Sequence, residues 1–75
     1  MIKSKKEILE LKTDDLNKLI GQIFIISHTD NSIINGKFIK IKISPADFTL
    51  PTDIVIFNEN GNVEIGINNI DSIQY

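Results

Sequence analysis

The sequence predicts a mainly β domain in which a short N-terminal helix precedes five strongly bent strands wrapped into a small barrel. Three observations predict it. From Gln22 onward the apolar residues fall in short strand-like blocks, glycine or asparagine stands where such a chain must turn, and both prolines, Pro45 and Pro51, lie in one segment between blocks. Seventy-five residues allow one domain, with 1–21 as the helical segment and 22–75 as the barrel.

Ser4 and Glu7 have capping-box spacing, and Ile8, Leu9 and Leu11 follow, so a helical turn is expected over about 5–12. Thr13 is the expected N-cap of a second helix over 14–20. Asp14 and Asp15 suit its first turn, Leu16, Leu19 and Ile20 form its apolar face, and Gly21 stops it. Ile23 to Ile26 is an unbroken apolar run and reads as a first strand buried on both sides, one face in the core and the other under the helix. Thr29 to Ser32 is a turn in which Asn31 takes the left-handed conformation.

The second strand is expected over 33–44. Ile39, Ile41 and Ile43 alternate there with Lys40 and Lys42, and Gly36 marks a bend that lets one strand serve two sides of a barrel. The two prolines make 44–52 a loop, anchored by Phe48 and Leu50. Strands follow over 53–58 and 62–67, joined by Asn60-Gly61 as a type I′ turn. Asn68-Asn69 breaks the chain before a last strand over 71–75.

Composition narrows the function classes. A chain of this length buries only about 60% of the surface it exposes when unfolded, and without cysteine it has neither disulfides nor a thiolate metal site. Homo-oligomerisation is therefore expected as a source of further burial. No apolar run approaches the roughly 20 residues of a membrane span, and a cytoplasmic protein is expected. Isoleucine occurs 17 times and arginine never, the signature of AT-rich codons in a low-GC bacterium or its phages and plasmids. Without arginine, an anion must be met by lysine or by backbone amides. All eight lysines lie in residues 1–44 with five acids, whereas residues 45–75 hold five acids and no base. That asymmetry can align copies head to tail and repels phosphate from the second half.

Leu19-Ile20-Gly21 at a helix end, a bent hairpin, a second hairpin and a single closing strand resemble the Sm-like family of SH3-like barrels, which includes the bacterial Hfq proteins. The resemblance covers residues 14–75. It is carried by Asp30-Asn31 with Gly36 and Phe38, and by Ile65-Gly66-Ile67 followed by Ile70 and Ile73. It implies a ring in which the fourth strand of one copy pairs with the fifth of the next. The family's RNA-binding positions are not matched: Lys42 stands where an aspartate is expected, Pro45-Ala46 for Met-Asn, and Gly66-Ile67 for Arg-Gly. The uridine pocket is not carried over.

Few residues suggest chemistry. His28, near Thr29 and Asp30, can form an imidazole-carboxylate pair, but Ser27 alternates to the opposite strand face and no triad results. Asn58, Asn60, Asn62 and Glu64 have the spacing of a calcium loop without its charge or glycine position, and Asp47 and Asp53 lack a third ligand. No metal or cofactor is expected, and the chain reads as a non-enzyme. Lys37, Lys40 and Lys42, with Phe38 among them, form a stripe for RNA or single-stranded DNA, disfavoured by the acidic second half. The proline loop is long for so small a domain, so Phe48 and Leu50 either plug the barrel end or meet a partner.

The leading expectation is a binding or regulatory module, oligomeric and possible as a phage- or plasmid-encoded inhibitor, that docks on a host protein. The alternatives are an Sm-like polynucleotide binder and an oligomer that sequesters a small nucleotide or metabolite.

Overall fold

A computed structural model describes residues 1–75. Its elements in chain order are β1 (Ile2–Ser4), α1 (Lys5–Leu9), α2 (Thr13–Asn17), β2 (Ile23–His28), β3 (Ile33–Ile43), β4 (Pro51–Asn58), β5 (Gly61–Gly66), a 3-10 turn (Ile67–Asn69) and β6 (Ile70–Gln74). The strands form one antiparallel sheet in the order β1-β6-β2-β3-β4-β5. It has six strands where the sequence predicts five, and it ends on β1 and β5 without closing. The extra strand, β1, lies along β6 with Ile2 opposite Gln74 and Ser4 opposite Ser72.

Local signals place the first helix well. Ser4 caps α1, its hydroxyl accepting from the Glu7 N–H while the Glu7 carboxylate accepts from the Ser4 N–H at 3.1 Å. The helix ends at Leu9 instead of about residue 12. In α2 the expected cap shifts by one residue: Lys12 is the N-cap, and its N–H donates to the Asp15 carboxylate at 3.0 Å. Thr13 is drawn away because it donates to another segment, the 44–50 loop. Beyond Asn17 the backbone tightens into turns with i to i+3 hydrogen bonds, and Gly21, at φ +100°, ends them as predicted.

β3 is shared between two neighbours. Its first half pairs with β2 and its second half with β4, and Lys37 is opposite both Ile23 and Phe57. Gly36 is required at this changeover, since a Cβ there would lie 2.6 Å from the Phe57 carbonyl oxygen. A bulge between Phe38 and Lys40 then shifts the alternation. Pro51 and Thr52, expected in the loop, belong to β4. Pro51 is its first residue, a position that tolerates the missing N–H. The β4–β5 turn is Glu59-Asn60, and only Gly61, at φ +88°, enters the left-handed region, so a type I′ turn centred on Asn60-Gly61 does not form. Asn31 does adopt the left-handed conformation, at φ 72°.

The core lies between the inner face of the sheet and the helices. Phe24 and Phe38 stack at its centre with ring centroids 4.7 Å apart, surrounded by Ile8, Leu16, Ile26, Ile54, Ile56, Ile65, Ile70 and Ile73. α1 packs against β6 and α2 against β3, so neither helix covers the outer face of β2. Ile23 and Ile25 are consequently 61% and 40% exposed, which corrects the expectation of a strand buried on both sides.

Candidate functional site: an immobilised loop and an outer sheet face

Two surfaces display large apolar side chains. The first is the loop between β3 and β4, residues 44–50. Its ends are tied by the Ser44 N–H donating to the Leu50 carbonyl at 2.9 Å. Inside it, the Asp47 carboxylate accepts from the Thr49 N–H at 3.0 Å and from the Thr49 hydroxyl at 2.7 Å. These two donors hold the Asp47 carboxyl below its usual range, the hydroxyl being the larger influence. Thr13 anchors the loop to α2, its hydroxyl donating to the Phe48 carbonyl at 2.8 Å and its N–H to the Thr49 carbonyl at 2.9 Å.

These bonds all engage backbone or small polar side chains. Phe48 itself projects outward, 70% exposed, and Leu50 is 41% exposed, so neither plugs the core. Leu50 borders a groove of about 350 Å³, also lined by Ile8, Leu9, Leu11, Pro51 and Ile67. The loop is thus an ordered platform with one apolar side chain held in solvent.

The second surface is the outer face of the sheet. Register places Ile23, Lys37, Phe57 and Asn62 in one row across β2, β3, β4 and β5. Lys40 and Lys42 face the same way, opposite Val55 and Asp53. The bulge after Phe38 brings the three lysines to one side, because strict alternation would put Lys37 opposite to Lys40 and Lys42. It leaves Phe38 inside, fully buried, so the aromatic among the lysines is Phe57, 54% exposed. No local signal distinguishes the two phenylalanines; the bulge and the bend decide which is outside.

The lysine stripe is not uniformly free. Lys42 donates to the Glu64 carboxylate at 2.8 Å, and this contact, with the Glu64 charge, raises the Lys42 ammonium above its ordinary value. Val55, the one buried residue outside the main core cluster, lies in register between Lys40 and Glu64. A second ion pair, Lys5 with Asp71 at 3.8 Å, likewise joins the basic first half to the acidic second half. Part of the charge asymmetry is therefore answered within the chain.

The remaining candidates are turn-forming groups. His28 and Asp30 do meet, with Nδ1 3.1 Å from the carboxylate, but Nδ1 also accepts the Asp30 N–H at 3.2 Å and the carboxylate accepts from the N–H and hydroxyl of Ser32. Asn58 donates to the Asn35 carbonyl at 2.9 Å and its side-chain oxygen accepts from the Asn60 N–H, while Glu64 is taken by Lys42. No group of three or more His, Cys, Asp or Glu is placed to hold a metal ion, and no helix is long and apolar enough to cross a membrane. No family model matches the chain, and no curated protein or solved structure matches it.

Proposed function

We propose that this chain is a non-enzymatic binding module that docks on another protein through the 44–50 loop, with Phe48 as the anchor and Leu50 and its groove as the flanking contact. One observation carries the reading: Phe48 is exposed on a loop whose backbone is fixed by Thr13, Asp47 and Thr49. A preordered aromatic loses little conformational freedom on binding, and buried aromatics dominate interface energetics. Small size and a low-GC composition fit a cytoplasmic regulator or inhibitor from a mobile element. The meander β2 to β5 with β6 returning beside β2 supports an Sm-like, SH3-like arrangement for the scaffold. The test is capture of a protein partner by the wild-type chain, by Phe48→Ala and by Asn31→Ala. Loss of capture with Phe48→Ala alone supports the reading, and equal capture by all three overturns it.

A second reading is favoured by Phe57. It stands exposed beside Lys37, as a stacking platform next to a phosphate contact would, with Lys40 on the same face. Single-stranded RNA or DNA would then bind the outer face of the sheet, with affinity falling as salt rises. Unchanged affinity in Phe57→Ala or in the Lys37→Ala/Lys40→Ala double variant dismisses it. With one tyrosine and no tryptophan the protein absorbs weakly at 280 nm, so a 260 nm maximum in purified material exposes bound nucleic acid or nucleotide directly.

A further inference from the structure

The two ends of the sheet are unlike. At one end β1 covers β6, and β1 is itself only three residues long before the chain turns into α1. A very short outer strand is one of the ways proteins blunt an edge. At the other end β5 keeps an unbroken register with β4 over six residue pairs and carries no proline, lysine or bulge. Its one charge, Glu64, is neutralised by Lys42 on the face of the sheet. None of the usual guards protects this edge.

Gly66 adds to the case. Its φ of −65° and ψ of 136° suit any residue, and the nearest atom a Cβ would meet is the Asn69 side-chain nitrogen at 3.3 Å, which can rotate away. Backbone conformation does not call for glycine here. At the end of β5 it leaves the backbone free of side-chain bulk where the strand runs into the 3-10 turn.

We infer that β5 is a dimerisation edge, and that two copies of this chain pair β5 to β5, antiparallel, about a twofold axis. Head-to-tail assembly needs a second long edge in each copy, and β1 leaves none, so the self-complementary contact is the one that closes. The Glu59-Asn60 turn makes Asn58 and Gly61 the first hydrogen-bonded pair of the hairpin, and alternation directs the backbone groups of Asn62, Glu64 and Gly66 off the edge. Centring the axis on Glu64 engages all three, with Asn62 opposite Gly66 of the second copy. The two Glu64 carboxylates then adjoin, each balanced by its own Lys42. This is a different assembly from the ring that the Sm-like resemblance implies.

Light scattering on the full chain tests the inference. The expected mass is twice the 8.5 kDa of the chain, falling to the single-chain value in Asn62→Pro, which removes an outward N–H and keeps the ladder to β4. Circular dichroism reports whether that variant folds. Because the chain has no cysteine, Glu64→Cys gives an independent reading: under mild oxidation it forms disulfide-linked dimers, whereas Asn17→Cys on α2 does not. A wild-type protein that stays at the single-chain mass at millimolar concentration, a larger ring, a co-purifying peptide held on β5, or equal cross-linking at both cysteine positions overturns it.

Discussion

Two exposed turns of this protein share one clasp and hold different residues in it. In Asp30-Asn31-Ser32 and in Asp47-Phe48-Thr49 the aspartate accepts hydrogen bonds from the N–H and the hydroxyl of the residue two positions on. The first clasp encloses Asn31 in the left-handed conformation that joins β2 to β3, and the residue serves the chain's own path. The second encloses Phe48, whose φ is not positive and whose ring touches no core. Equal local order is used once to make a hairpin and once to hold an aromatic ring in water. The second use buries no aromatic surface within the chain, and the proposed docking role rests on that exposure.

The strongest way to break this comparison is to set Phe48 against a phenylalanine that does serve the fold. Phe38→Ala empties the centre of the core and is expected to lower unfolding free energy by about 3–5 kcal/mol in urea titration, whereas Phe48→Ala is expected to stay within about 0.5 kcal/mol of wild type. For partner affinity the order reverses, with Phe48→Ala expected to weaken binding by about 30-fold, or ~2 kcal/mol, by calorimetry. A stability loss at Phe48 equal to that at Phe38 would mean that the loop is structural after all.

The first turn gives the next largest effect. Asn31→Ala forces a Cβ-bearing residue without a polar side chain to keep φ 72°, a cost of about 1–2 kcal/mol that Asn31→Gly avoids. Neither variant is expected to change partner affinity. Thr13→Val removes the hydroxyl that donates to the Phe48 carbonyl. It is expected to cost about 1 kcal/mol of stability and to weaken binding several-fold through a looser loop, with the Phe48 ring still present.

The smallest effect is shared by both clasps. Asp30 and Asp47 are each held below the ordinary value of 3.8 by their Ser32 and Thr49 donors. A depressed folded-state value stabilises the turns fully above the ordinary one, and that contribution disappears as pH falls through the depressed values. Each aspartate therefore supports its turn at neutral pH, and that support is lost on acidification below 3.8. Carboxyl chemical shifts followed against pH check this, and Thr49→Val is expected to return Asp47 toward 3.8 while leaving Asp30 unmoved.

Legibility in the sequence followed the range of the interaction. The Ser4–Glu7 cap, the Gly21 stop and the left-handed Asn31 depend on a few neighbouring residues and were readable. The proline loop and its exposed candidates, Phe48 and Leu50, were readable as a segment, but the bonds from Thr13 that order it cross 35 residues and leave no local trace. Thr13 was readable only as a helix cap, the role it gives up. The outer face was obscured in two ways. A continuous run such as Ile23 to Ile26 has no period to say which side is bare, and a single bulge put Phe38 on the face opposite Lys40 and Lys42.

By itself, then, the sequence determined a mainly β domain, the Gly21 and Asn31 turns, a lysine-rich first half and the absence of cysteine and arginine chemistry, because these reside in residue identity and near-neighbour geometry. Tertiary structure alone decided that three residues before α1 become a sixth strand, that the sheet stays open at β5, and that Ile23, Ile25 and Phe57 face solvent. Each of these rests on pairing between segments far apart in the chain, and strand pairing is set by hydrogen bonds to a partner that no local pattern encodes.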